Sequence, residues 1–214
     1  MYSLVIGIIL TISSVAIGQN FPAQTPVISN TIESDGGLDD LNPFDPQIEQ
    51  TLDLYDAEYQ SETGFSPFLP LDLDWLSASK STCYRASCTI WARTVKAEQK
   101  MYLYINGDLS DIWSTSTGLR GHGTPDFDKH PNGRIYERYT SRRYPGGDYN
   151  GLGNMPYAVF IEGGFAIHGT AKSNWPKLGS PASHGCVRIH PDNAYRFNRL
   201  VREHGIKQTW ITIE

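Results

Sequence analysis

Cysteine is scarce in this chain, with three in 214 residues. None of the three forms a CxxC pair and no second pair follows, so a structural zinc module has no ligand set to start from. Bases are nearly absent from the first 80 positions, where Lys80 stands alone against 12 of the chain's 23 acidic side chains. Long apolar runs are missing too. The one candidate, Leu4–Leu10 fading toward Ile17, is interrupted by Thr11, Ser13 and Ser14 and falls short of the roughly 20 residues that a spanning helix needs. No internal repeat is visible, and no DNA-binding or RNA-binding signature accompanies the scattered Lys and Arg, so nucleic acid is not the expected partner.

What is present divides the chain in three. Residues 1–18 read as a secretory signal peptide, with Ala16 and Gly18 as the small residues before a cut at Gln19, although the segment has no Lys or Arg ahead of its apolar run. Membrane contact is expected only through this segment, if it is uncleaved. Residues 19–80 are rich in Pro, Asp and Ser and read as a disordered or weakly helical acidic tether. Within it "PQIEQTLDLYDAEY" has the composition of one short helix, and Leu71, Leu73, Trp75 and Leu76 are candidates for docking on the folded part. Residues 81–214 carry 17 bases against 11 acids, a surplus that favours an anionic substrate. Their apolar residues alternate around the "NGD" turn of "KMYLYINGDLSDIWSTSTG" and around Gly163-Gly164 in "MPYAVFIEGGFAIHG", as β-hairpins do. One helix is expected over "PDNAYRFNRLVREHG", opened by Asp192 and closed by Gly205, followed by a last strand in "KQTWITIE". Many short strands with Gly-rich turns and a helix or two predict a mostly β, sandwich-like or barrel-like domain.

Export would make the cysteines informative. Cys83 and Cys88 are placed to close a small disulfide loop in an oxidising compartment, two separate thiols being the alternative, and Cys186 is left over. It stands in "SPASHGCVRIHP", a polar turn and not an apolar strand. A thiol becomes a nucleophile when an imidazole takes its proton and oxyanion donors meet the carbonyl it attacks. His184 lies in the same turn and His168 at the end of a strand. Gly185, with no Cβ, lets the Gly185 and Cys186 N–H groups point inward as oxyanion donors. A zinc centre built from His168, His184 and Cys186 is the competing reading. His122, His130, His190 and His204 sit near turns or surfaces, where a satisfied or exposed histidine is the default.

At these residues the chain resembles the L,D-transpeptidase catalytic domain, the YkuD domain, over roughly Cys88–Ile213. The resemblance is carried by His168 in "IHGT" and by Ser183, His184, Gly185, Cys186 and Arg188 in "SHGCVR", with support from "INGDL", "STSTG" and "MPYAVF". The segment "GTPDFDKHPNGRIY" departs from the family's Thr-Pro-x-Gly-x-Phe form. The resemblance implies a cofactor-free thiol enzyme acting on peptidoglycan stem peptides in the periplasm. Cys186 would attack the L-to-D bond of a tetrapeptide and expel D-alanine, with His168 as base and the Gly169 carbonyl fixing its tautomer. The N–H groups of His184, Gly185 and Cys186 would hold the oxyanion, and Arg188 would hold the turn or bind a substrate carboxylate. Ser183, Tyr157 and Trp175 are further candidates for the substrate groove. The acyl acceptor would be an amine on a second stem or on an envelope protein, or else water, giving a carboxypeptidase or amidase. A catalytically silent wall-binding module is the third reading.

Overall fold

The computed structural model describes residues 46–68, 83–141 and 143–214. The signal segment, the rest of the expected tether and the Leu71–Leu76 stretch lie outside these residues. Two mixed sheets form the frame. From edge to edge the larger holds β3 (Asp108–Ser114), β2 (Lys100–Ile105), β1 (Ile90–Val95), β8 (Thr209–Ile213) and β4 (Phe127–Lys129), and the smaller β5 (Val159–Glu162), β6 (Phe165–Gly169) and β7 (Val187–Ile189). In the larger, β1 (Ile90–Val95) alternates Ile90, Ala92 and Thr94 inward with Trp91, Arg93 and Val95 outward, the period of two that a half-buried strand requires. It pairs antiparallel with β2 (Lys100–Ile105), which turns at Asn106-Gly107 into β3 (Asp108–Ser114). Both turn residues have positive φ, 53° and 86°, as a tight two-residue hairpin turn demands. The terminal strand β8 (Thr209–Ile213) runs parallel to β1, and β4 (Phe127–Lys129) closes the far edge.

The smaller sheet is β5 (Val159–Glu162), β6 (Phe165–Gly169) and β7 (Val187–Ile189), with β6 and β7 parallel. Apart from the half-buried Glu162 and Arg188, its residues are buried on both faces. Val159, Ile161, Phe165, Ile167, Val187 and Ile189 join the main core with the larger sheet and with α2 (Pro191–His204). Phe160, Ala166 and Cys186 belong to a separate cluster on the opposite face. The helix α2 covers the stretch expected for it, with its N-cap two residues before Asp192. His190 is its N-cap, accepting from the Asp192 N–H, Pro191 takes the first-turn position that needs no N–H donor, and Gly205 ends the helix.

The short helix expected in "PQIEQTLDLYDAEY" is present. Residues Ile48–Thr63 form a 16-residue helix, α1, that packs on the domain through Ile48, Leu52, Tyr55 and Tyr59. A helix of this length is marginal alone in water, and each apolar side chain it buries contributes about 1.5–3 kcal/mol, so docking is what holds it. Among the described residues no helix is long and apolar enough to cross a membrane. Cys83 and Cys88 are joined by a disulfide, and Cys186 is the cysteine outside it.

Candidate functional site

The parallel pairing of β6 and β7 assembles the site. His168 is the register partner of Arg188. Side chains alternate faces along a strand, so Cys186, two residues before Arg188, projects to the same face as Arg188 and His168. Residues Ile167, Val187 and Ile189 point the other way, into the core.

The turn that delivers Cys186 is held from within. The Ser183 hydroxyl donates to the Cys186 carbonyl at 2.6 Å and accepts from the Gly185 N–H at 3.1 Å. Thr124 donates to the Gly185 carbonyl at 2.6 Å and accepts from the Gly118 N–H at 2.8 Å, tying the turn to the neighbouring loop. Ser116 pairs with Arg188 through both backbone groups, so "STSTG" runs beside β7. Gly185 has φ of 126°, and a Cβ there would lie 2.7 Å from the Phe165 ring. Only glycine satisfies both conditions.

His168 is buried, and its Nδ1–H donates to the Gly169 carbonyl at 2.5 Å. The Gly169 N–H in turn donates to the Pro156 carbonyl. This fixes the tautomer with Nε2 as the basic nitrogen. Burial, with the Arg188 charge as a second cause, pushes the imidazole down to about 3, against a smaller opposing effect of the Gly169 hydrogen bond. The imidazole is therefore neutral at pH 7. Burial also holds the Arg188 guanidinium below its ordinary value. It donates to the Ala182 carbonyl at 3.0 Å and has no carboxylate partner among the described residues.

Cys186, His168 and Arg188 open into one cavity of about 560 Å³. Arg143 and Lys177 also line it, and among the described residues no Asp or Glu does, so its lining is cationic. At its wall the His184 ring stacks on Tyr144 at 3.8 Å, and His122 meets His184 edge-on at 5.4 Å. Asn154 shapes the same wall: its carboxamide accepts from the Ser141 N–H at 3.1 Å and donates to the Tyr144 carbonyl.

Several sequence candidates sit elsewhere. Ser183 is fully buried and its hydroxyl is spent inside the turn, so it does not face the cavity. The Gly185 N–H donates to the Ser183 hydroxyl inside the turn. Tyr157 has φ of 59° and packs against the main core and Tyr195, away from the cavity. Trp175 donates to the Thr170 carbonyl and rests against His190, outside the lining. No group of three or more His, Cys, Asp or Glu among the described residues is placed to hold a metal ion. Sequence reasoning missed Tyr144, Arg143, Asn154 and Thr124; the first two had a signal in the basic, aromatic "RRYPGG" loop, the others none.

The sequence profile of the YkuD family, the L,D-transpeptidase catalytic domain, matches residues 89–212. No curated protein matches the chain. Among solved structures the chain is similar to an L,D-transpeptidase from Mycobacterium smegmatis, with 18% identity, a TM-score of 0.42 and 59% of each chain covered. It is similar to one from Stackebrandtia nassauensis, with 18% identity, a TM-score of 0.46, and 74% of this chain and 75% of that one covered. A third is an L,D-transpeptidase in complex with imipenem, with 20% identity, a TM-score of 0.48 and 59% of each chain covered. The match thus spans less than two thirds of the length of the first and third of these proteins.

Proposed function

Because this chain belongs to the family of L,D-transpeptidase (YkuD) catalytic domains, we propose that it is a peptidoglycan L,D-transpeptidase that works through a Cys186 thioester. The observation that carries this reading is the placement of Cys186, His168 and Arg188 on one sheet face, opening into a cavity that the described residues line with cations and without a carboxylate. Stem peptides bear several carboxylates, and such a cavity suits them.

The geometry supports the following chemistry. His168 is neutral at working pH, with Nδ1–H held by Gly169, so Nε2 takes the Cys186 thiol proton. Its depressed basicity means that no stable imidazolium–thiolate pair forms at rest. The proton leaves as sulfur closes on the carbonyl carbon of the L-to-D bond. The N–H groups of His184 and Cys186 receive the oxyanion. The imidazolium then returns its proton to the departing D-alanine amine, leaving the thioester. In the second half, His168 Nε2 removes a proton from the acceptor amine as its nitrogen attacks the thioester, and the returning thiolate takes that proton back. Arg188 binds a donor carboxylate. The acceptor is an amine on a second stem peptide or an envelope protein. An exported, periplasmic location is part of this proposal, and the Cys83–Cys88 disulfide supports an oxidising compartment.

Mass spectrometry of a tetrapeptide muropeptide incubated with the protein, wild type beside Cys186→Ala, tests the reading. Dimers lacking one D-alanine that depend on Cys186 are expected. Tripeptide monomers alone would assign the acceptor to water and make the protein an L,D-carboxypeptidase. Product that persists in Cys186→Ala would remove the thiol from the mechanism.

A further inference from the structure

The helix α1 lies outside the 89–212 segment that matches the family, yet it covers the sheet face on which Cys186 sits. Its Leu52, Tyr55 and Tyr59 share one apolar cluster with Tyr136, Tyr139, Phe160, Ala166 and Cys186. The rings touch in sequence: Tyr59 meets Tyr136 at 5.0 Å, Tyr55 meets Tyr139 at 5.6 Å, and both Tyr136 and Tyr139 meet Phe160, at 5.4 and 5.3 Å. A line of packed side chains therefore runs from the helix to the wall behind the thiol.

A polar stripe runs along the same helix. Glu49, Asp53 and Asp56 all pair with Arg134, at 3.0, 3.0 and 2.9 Å. The Tyr136 hydroxyl donates to Asp56, and Arg138 pairs with Glu62. The segment 134–139 is thus fastened at every second residue, and it leads directly into the cavity wall at Ser141, Arg143 and Tyr144. Asp56 and Arg134 are 8% and 7% exposed. Withdrawing such charges from water is costly, and an apolar pair of similar volume would give as much cohesion. What the ionic arrangement adds is a single register between helix and segment.

We infer that α1 is a positioning element of the catalytic site: it fixes segment 134–139, and through it the cavity wall and the approach to Cys186. Asp56, Arg134 and Tyr136 are its positioning residues. The kinetic part of the test rests on the transpeptidase reading, whereas access to the thiol does not.

With Cys83 and Cys88 bonded, alkylation of the native full chain reports Cys186 alone. The variants are Asp56→Asn, the exposed reversals Arg138→Glu and Glu62→Lys, and the two reversals combined. Asp56→Asn is expected to speed Cys186 alkylation about tenfold with unchanged circular dichroism, because local opening and not unfolding is what changes. It is also expected to raise the donor KM about fivefold with kcat within about twofold, the pattern of lost uniform binding. Each single reversal shifts both quantities about two- to threefold in the same direction, and the combined reversal restores them. If Asp56→Asn does not fold, the reversal series decides alone. Alkylation and KM within about twofold of wild type in every folded variant, or singles that the double fails to restore, would overturn the inference. A wild-type protein without any transfer or hydrolysis would sink the transpeptidase reading, and the alkylation series would still decide this one.

Discussion

His168 and Arg188 stand directly opposite each other across the parallel pair β6–β7, so a buried base and a half-buried cation share one sheet face. Burial first, and this cation second, hold the imidazole at about 3. The rate of acylation should therefore show no loss of its base between pH 7 and pH 5. In Arg188→Gln one of the two lowering causes is gone, and the acid limb should move upward while staying below 6.5, because burial remains. A pH–rate profile at saturating donor reads both. A limb near 6.5 in the wild type, unmoved by Arg188→Gln, would mean that the titrating base is not His168 as placed here.

The same histidine makes stability depend on pH. Its value is 6.5 in the unfolded chain and about 3 in the fold, so below pH 6.5 the unfolded state binds a proton that the native state refuses. Stability should be full above pH 6.5 and fall as pH drops toward 3, by on the order of a few kcal/mol. Asp128 adds a later loss. Burial alone would raise it, but hydrogen bonds from Arg85, Trp210, Thr212 and Tyr84 outweigh burial and hold it at about 2, so its contribution disappears as pH falls from 3.8 through 2. Asp56, raised by burial despite Arg134, opposes these losses in the carboxylate range. Urea denaturation at pH 7, 5 and 4 should show the decline, and His168→Gln should flatten it. An equal slope in that variant would place the proton uptake elsewhere.

Local signals account for what was legible in the sequence. The Asn106-Gly107 and Gly163-Gly164 turns, the Ala194–Phe197–Val201 face and the "SHGC" turn each carry their geometry in a few adjacent residues. The helix α1 was harder to read as docked, because the groups that dock it are aromatic and acidic and their partners, Arg134, Tyr136 and Arg138, lie more than 70 residues away. Ser183 is a substrate-groove candidate through the "SHGCVR" resemblance; the turn folds its hydroxyl inward onto the Cys186 carbonyl. For Tyr157 the positive φ was not visible in the residue type, and it places the ring against the core. Asn154 and Thr124 act through backbone carbonyls and N–H groups of other loops, which no spacing in the chain announces.

The disulfide should matter for stability and little for turnover. Closing a six-residue loop contributes about 2 kcal/mol in the chain-entropy account. This loop is also held by Asp128, which accepts from Arg85 at 3.1 and 3.0 Å and from the Tyr84 hydroxyl at 3.1 Å. The Cys83→Ser, Cys88→Ser protein is therefore expected to lose no more than about 2 kcal/mol in urea denaturation. Neither cysteine lines the cavity, so muropeptide turnover should stay within about twofold. A larger loss of activity than of stability would show that the loop reaches the site.

Gly185 carries the sharpest local requirement in the site. Its φ of 126° is one that side chains rarely adopt, and a Cβ would meet Phe165 Cε1 at 2.7 Å. The backbone strain alone costs about 1–3 kcal/mol, and Phe165, buried against Phe127, has little room to retreat. Gly185→Ala should lower stability by at least that amount and abolish acylation, because the turn that aims Cys186 must shift while its Ser183 and Thr124 bonds hold it at both ends. Shortening the ring separates the two causes. In Gly185→Ala with Phe165→Leu, relief of the overlap should recover part of the stability, while the strain at φ persists and activity stays low. Recovery of full acylation in the double variant would mean that the ring contact, and not the backbone conformation, is what demands glycine there.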